Sequence, residues 1–200
     1  MELVNRILVA LPLLLVYFFM YKYKFIFYIG YLLFVFGALV ETTNLKKNKL
    51  IILSLVLINS ILLYKIYYIQ IVFIIGINIL SDTFQLTWGK ILGQYINYKP
   101  FPNISPNKSA IGYIGGVSTV LLINYVIQLF SFYHCLIIVI FGILGDLLLS
   151  KIKRNNNIKD YTIRYKGTDI TLLGKHGGIL DRLDSIILSI IGYYIFTLFS

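Results

Sequence analysis

Seven apolar runs, each bounded by charged residues or tyrosines, succeed one another at about 7–21, 25–40, 50–64, 66–81, 113–131, 133–149 and 185–200. Little of the chain is left over to build a water-facing surface. Charged residues make up 13% and hydrophobic residues 58%, whereas soluble domains carry about 25% charge. The pattern predicts an all-α, polytopic integral membrane protein with about seven transmembrane helices. Several runs rise only about 24 Å, so their helices extend into flanking Tyr and Lys, which sit comfortably at the membrane interface. Around Lys65 the tyrosines 64, 67 and 68 mark an interfacial turn between two spans, with one long broken helix as the alternative. The first run ends in Tyr21-Lys22-Tyr23-Lys24 without a small-x-small cleavage site, so it reads as a retained helix rather than a signal peptide. A single cysteine, Cys135, excludes an intramolecular disulfide.

Charge sets the sidedness. With seven spans, 15 Lys and Arg fall on the face of the N-terminus and the even loops, and three (Lys22, Lys24 and Lys65) on the other. The positive-inside bias therefore places the N-terminus and both long loops, 82–112 and 150–184, in the cytoplasm. Residues 1–80 supply membrane helices with little motif content, and 81–200 hold the motifs. A net charge of +10 suits anionic lipid headgroups or phosphate-bearing substrates; nucleic acid is a poor partner for so apolar a chain. The run Asn155-Asn156-Asn157 reads as a product of composition.

Only eight carboxylates are present. Asp146 interrupts an apolar run near the cytoplasmic end of the sixth span, where an isolated charge costs about 2.5 kcal/mol or more at mid-helix. Either a bound cation or the basic group Lys151, Lys153 and Arg154 compensates it. Asp82 has the spacing to Gln85 of a helix N-cap. Glu2 and Glu41 lie near span ends. Before the last span, His176-Gly177-Gly178 is followed by Asp181, Arg182 and Asp184. The two aspartates at i, i+3 share one helix face and suit a hard cation, and Arg182 suits phosphate; acid in a helix's first turn is the structural alternative. His134 reads as an interfacial residue. The polar stretch with Gly89-Lys90, Gly93 and Ser105-Pro106-Asn107-Lys108-Ser109 has the Gly, Ser and Lys of phosphate-cradling loops, although it is not a P-loop.

In order and spacing, Ser150, Lys153, Arg154, Lys159, Asp160, His176, Gly177, Gly178, Asp181, Arg182 and Asp184 resemble the C-terminal signature of the phosphatidate cytidylyltransferase (CDP-diacylglycerol synthase) family. That signature runs Ser-x-x-Lys-Arg, four residues, Lys-Asp, a linker, then His-Gly-Gly-x-x-Asp-Arg-x-Asp. Gly145-Asp146-Leu147, Asp82-Thr83 with Gly89-Lys90, and 105–109 are similar to further family elements. The resemblance covers about 78–200. Leu149 and Ile111 stand where the family usually carries Glu, and the linker 161–175 is longer by about eight residues.

The resemblance implies cytidylyl transfer from CTP to phosphatidate, with CTP, phosphatidate and membrane phospholipid as partners; a homodimer is compatible with it. It also implies Mg²⁺ held by Asp146, Asp181 and Asp184, with Asp82 and Asp160 as further ligands or orienting groups. His176 and Lys159 would join the three aspartates in catalysis, His176 toward the leaving pyrophosphate. Lys153, Arg154, Lys159 and Arg182 would bind phosphates, and Gly177 and Gly178 would bring backbone N–H groups to them. Ser105, Lys108 and Ser109 would contact nucleotide, with Ser150 and Lys90 completing the substrate set. A transporter would place ionisable groups at mid-membrane in several spans, which this chain does not. A CDP-alcohol phosphotransferase needs a motif that is absent. An inactive relative acting as an assembly factor would rest on Leu149 and Ile111.

Overall fold

In the computed structural model, residues 17, 19–96, 98–165, 168–171 and 177–200 are described. Residues 19–22 are helical, and six helices and a hairpin follow. These are α1 Lys24–Thr43, α2 Lys49–Leu62, α3 Tyr68–Ile91, α4 Ala110–Ile127, α5 Phe132–Asn155, β1 Ile163–Tyr165, β2 Thr168–Ile170 and α6 Leu180–Thr197. Helices α1, α3, α4 and α5 are long and apolar enough to cross a membrane. Helix α2 is apolar but has 14 residues, about 21 Å of rise. Most of the predicted run 7–21 lies outside the described residues.

Boundaries differ from the sequence expectation in four places. Asp82 is no N-cap, and the loop does not open at 82: α3 runs through Asp82 to Ile91. Its polar side chains satisfy themselves within the helix, Thr83 and Thr87 donating to the carbonyls of Ile79 and Thr83, and Gln85 to the Ser81 hydroxyl. At the far end of the motif region α5 continues to Asn155, so Ser150, Lys153 and Arg154 are helical rather than part of a loop. The turn between α4 and α5 lies at 128–131, earlier than the break between the apolar runs 113–131 and 133–149. There Gln128 adopts φ +56°, Asn124 exchanges two hydrogen bonds with the Phe130 backbone, and Ser131 caps α5. Finally the extra linker residues form an antiparallel hairpin pairing Ile163 with Ile170, a small exception to an all-α fold. Around Lys65, α2 and α3 are separate helices.

Helix α5 packs most extensively on α6, and α3 on α4; α2 lies against α6, and α3 also contacts α5 and α6. Small residues make this possible, since without a side chain two backbones can approach closely. A Cβ at Gly115 would strike the Trp88 ring, and one at Gly116 the Gln85 side chain; one at Gly145 of α5 would strike the Asp184 carbonyl of α6. One core cluster gathers Ile71, Ile74, Ile138, Val139 and Ile190. The other gathers Ile52, Leu149, Ile152, Tyr161, Leu180 and Ile187 beside the motif residues. Buried polar contacts lock the arrangement: the Ser189 hydroxyl lies 2.9 Å from both Asn78 Oδ1 and the Ile138 carbonyl, and Asn59 donates to the Ile187 carbonyl.

Candidate active site

The site grows from one stripe of α5. Asp146, Ser150 and Lys153 stand at i, i+4 and i+7, so they share a helix face, and all three are buried. At the Asp146 level, the loop before α4 delivers Lys108. Its Nζ donates to Asp146 Oδ2 at 2.8 Å, lies 3.6 Å from Asp82 Oδ1 and 3.4 Å from Gln85 Oε1, and sits over the Tyr113 ring at 5.7 Å. Burial works against its charge, but Asp146 and Asp82 outweigh burial and raise the Lys108 pKa above its ordinary value. The Ser185 hydroxyl donates to Asp82 Oδ2 at 3.2 Å, and Asp184 feels Asp146 and Asp82 as like-charged neighbours and Lys153 as an opposite one. Two carboxylates from α3 and α5 thus meet one ammonium, and a third, Asp184 of α6, stands beside them.

Two turns along α5, Lys153 Nζ meets Asp181 Oδ1 at 2.8 Å and lies over the Tyr161 ring at 5.6 Å. Asp181 Oδ2 accepts from the N–H groups of Gly178 at 2.8 Å and Tyr161 at 3.0 Å. Tyr161, fully buried, donates its hydroxyl to the Leu149 carbonyl. Burial and then Asp181, Asp184 and Glu41 raise the Tyr161 pKa, so it remains a neutral donor. Gly177 is a glycine by necessity, with φ +86°.

The residues singled out from the sequence therefore fall into distinct places. Lys108, Asp82, Asp146 and Asp184 come together, and Lys153, Asp181 and Gly178 form the adjoining set. Asp181 and Asp184 share no hydrogen-bond donor among the described residues: Lys153 and two backbone amides engage Asp181, whereas Asp184 accepts from the Ser185 amide and feels Lys153 only at longer range. Gly178 does not offer its N–H to a ligand here, since Asp181 accepts it. Ser109 caps α4 by accepting from Gly112 N–H at 3.2 Å, rather than pointing its hydroxyl at an open site. Arg154 is exposed and donates from Nε to the Ile104 carbonyl at 3.4 Å, tying α5 to the residue just before the half-buried Ser105. Lys159 and Arg182 are exposed, and Asp160 is half-buried. Lys90 borders an open groove of about 340 Å³ on the outer face of α3 with Thr83, Leu86 and Thr87. His176 lies outside the described residues.

Among the described residues no three His, Cys, Asp or Glu side chains form a ready metal cage. The donor set around Lys108 nevertheless has the chemistry that suits a hard cation: the carboxylate oxygens of Asp146 and Asp82 and the amide oxygen of Gln85 converge where a positive charge already resides. Two residues escaped the sequence reading. Glu41 is fully buried, and its two oxygens accept from Ile179 and Leu180 N–H; a lone acid ending an apolar run was the available signal. Asn156, read as compositional, accepts from the Lys46 and Lys47 amides at 2.9 and 2.8 Å and donates to the Lys47 carbonyl, fastening the loop after α1 to the end of α5.

Carboxylates paired with lysines thus gather at the ends of helices long and apolar enough to cross a membrane. Residues 68–200 match the profile of the cytidylyltransferase family, and the chain belongs to that family. It is 36% identical over 115 residues to a Staphylococcus epidermidis protein named phosphatidate cytidylyltransferase, a match spanning 53% of this chain and 40% of that one. A Staphylococcus saprophyticus protein of the same name is 35% identical over 115 residues, with the same shares of each chain. An Escherichia coli K12 protein, uncharacterized protein YnbB, is 34% identical over 125 residues, which is 58% of this chain and 38% of that one. The chain thus spans about two fifths of the length of these relatives.

Proposed function

We propose that the chain transfers a cytidylyl group from CTP to the phosphate of phosphatidate, forming CDP-diacylglycerol and pyrophosphate. The observation that carries this reading is the gathering of Lys108, Asp82, Asp146 and Asp184 beside the Lys153–Asp181 pair, within the family-matched segment. A phosphatidate oxygen attacks the α-phosphorus of CTP, and the bond from that phosphorus to the oxygen bridging toward the β-phosphate breaks. The nucleophile is already an anion, so the burden is positioning and charge neutralisation rather than deprotonation.

Asp146 and Asp184 are the proposed Mg²⁺ ligands. Asp82 stands nearest as a third, and Asp181 joins only if Lys153 releases it. When bound, the cation would neutralise charge developing on the phosphate oxygens. Lys108 and Lys153 bring fixed positive charge to the same place, and exposed Arg182, Arg154 and Lys159 extend it toward the aqueous side. Leu149 is fully buried among Ile52, Ile152 and Tyr161, so the acid missing there leaves no gap in the charged cluster. This favours an enzyme over an inactive relative. The proposed topology has seven spans with the N-terminus and the site on the cytoplasmic side, supported by the 15-to-3 division of basic residues.

The test is Mg²⁺-dependent transfer of label from CTP to phosphatidate by the purified protein in mixed micelles, beside Asp184→Asn. Lipid-linked label from the wild type and a loss of about a hundredfold or more in the variant are the expected results. A folded wild type that transfers nothing defeats the proposed activity. Near-normal turnover by Asp184→Asn defeats the ligand assignment.

A further inference from the structure

Helix α6 brings Asp181 and Asp184 to the site, and its rotation decides where they point. Three consecutive amides at its start are each held by a carboxylate: Gly178 N–H by Asp181, and Ile179 and Leu180 N–H by Glu41 Oε1 and Oε2 at 2.7 and 2.8 Å. Glu41 comes from α1, outside the segment that matches the family. It has no exposure to solvent, and a buried carboxylate is tolerated only where its charge is met. Here two charge-assisted hydrogen bonds and the positive end of the α6 dipole meet it.

The packing around this contact is shaped to it. Gly37, one turn before Glu41 on the same face of α1, leaves room for the Ile179 side chain, which a Cβ there would strike. At Gly178 a Cβ would stand 2.6 Å from the Tyr161 carbonyl and 2.7 and 2.8 Å from the Glu41 oxygens. Gly178 is therefore explained by the close approach of a protein carboxylate and a carbonyl, with no call on a ligand.

We infer that Glu41 is a positioning residue for the active site: from α1 it clamps the first turn of α6 and so sets the direction of Asp181 and Asp184. The inference rests on the cytidylyl-transfer reading only for its activity measurement. Hydrogen exchange tests the contact without activity. In the full-length wild type in detergent, the Ile179 and Leu180 amides are protected, and Glu41→Gln, which has one acceptor in place of two, makes them exchange faster. Unchanged protection in the variant overturns the clamp.

The second measurement is steady-state kinetics of wild type, Glu41→Gln and Glu41→Asp, well below each melting temperature. The expected result is a kcat lower by about tenfold to a hundredfold in Glu41→Gln, since small misplacements cost that much, with KM for CTP within about twofold. Glu41→Asp, which keeps the charge, recovers part of the loss. A lowered melting temperature with unchanged kcat per folded molecule means a purely structural contact and overturns the positioning role. If Glu41→Gln does not fold, Glu41→Asp carries both comparisons, with slower turnover and faster exchange expected. A wild type without transfer defeats the proposed activity, and exchange still decides the clamp.

Discussion

Replacing Lys153 by Met tests whether the Lys153–Asp181 pair holds the site together. The ammonium lies 2.8 Å from Asp181 Oδ1, and both side chains are 11% exposed. Removing one member of a buried pair costs about 3–5 kcal/mol, because the partner is left charged and desolvated. Asp181 keeps its two backbone donors, Gly178 at 2.8 Å and Tyr161 at 3.0 Å, which brings the loss below that range, to about 2–3 kcal/mol. In a chain of this size that is a fall of about 5–10 °C in melting midpoint. Asp181→Asn should cost a comparable amount by stranding Lys153 over the Tyr161 ring. The double variant leaves neither charge unpaired, so it should be no less stable than the worse single variant. Thermal unfolding of all four proteins in one detergent gives the coupling, expected at about 2 kcal/mol. Additive losses, with coupling below about 0.5 kcal/mol, would refute the view that each charge is tolerated because of the other.

Two further results follow from the same geometry. The raised Lys108 pKa means that its contribution to stability is fully present below the ordinary value of 10.5 and is lost only as pH climbs through the higher folded value; the melting difference between wild type and Lys108→Met should hold constant from about pH 7 to pH 10, and a difference that fades by about pH 9 contradicts the two-carboxylate environment. Gly145→Val should push α5 from α6 at the Asp184 carbonyl, lowering stability by about 1–3 kcal/mol and turnover by more than tenfold; a variant that melts and turns over like the wild type shows that the close approach is not required.

Where the fold was legible in the sequence, hydrophobic continuity was doing the work, and where it was misread, a polar residue hid helical backbone. Apolar runs located all six described helices, because lipid and core both demand them. The ends at Asp82 and Ser150 were missed for one reason: Thr83, Gln85 and Thr87 find partners inside their own helix, and beyond Ser150, which is buried, Lys153 pairs with Asp181 across α5 and α6. Neither solution leaves a mark on composition. The paired strands Ile163–Tyr165 and Thr168–Ile170 were equally invisible, since Arg164, Thr168 and Asp169 look like any polar loop.

The site divides along the same line. Asp146, Asp181, Asp184 and Lys153 could be picked out because a carboxylate or ammonium among apolar residues is costly, and the motif spacing pairs them with one another. Partnership across helices was not legible. The reading joined three aspartates to one cation, whereas Lys108, 38 residues before Asp146 and beyond the reach of any spacing rule, binds Asp146 at 2.8 Å, and Lys153 draws Asp181 aside. Glu41 carries the point furthest. No motif contains it, and nothing near it in the sequence bears a complementary charge except a lysine cluster after the helix. Its partners are backbone amides, which every residue possesses and no sequence pattern announces. A carboxylate whose partners among the described residues are the first amides of a distant helix can be recognised beforehand as expensive, but not assigned, so the contribution of the N-terminal helices to the site emerges only once α1 is seen against α6.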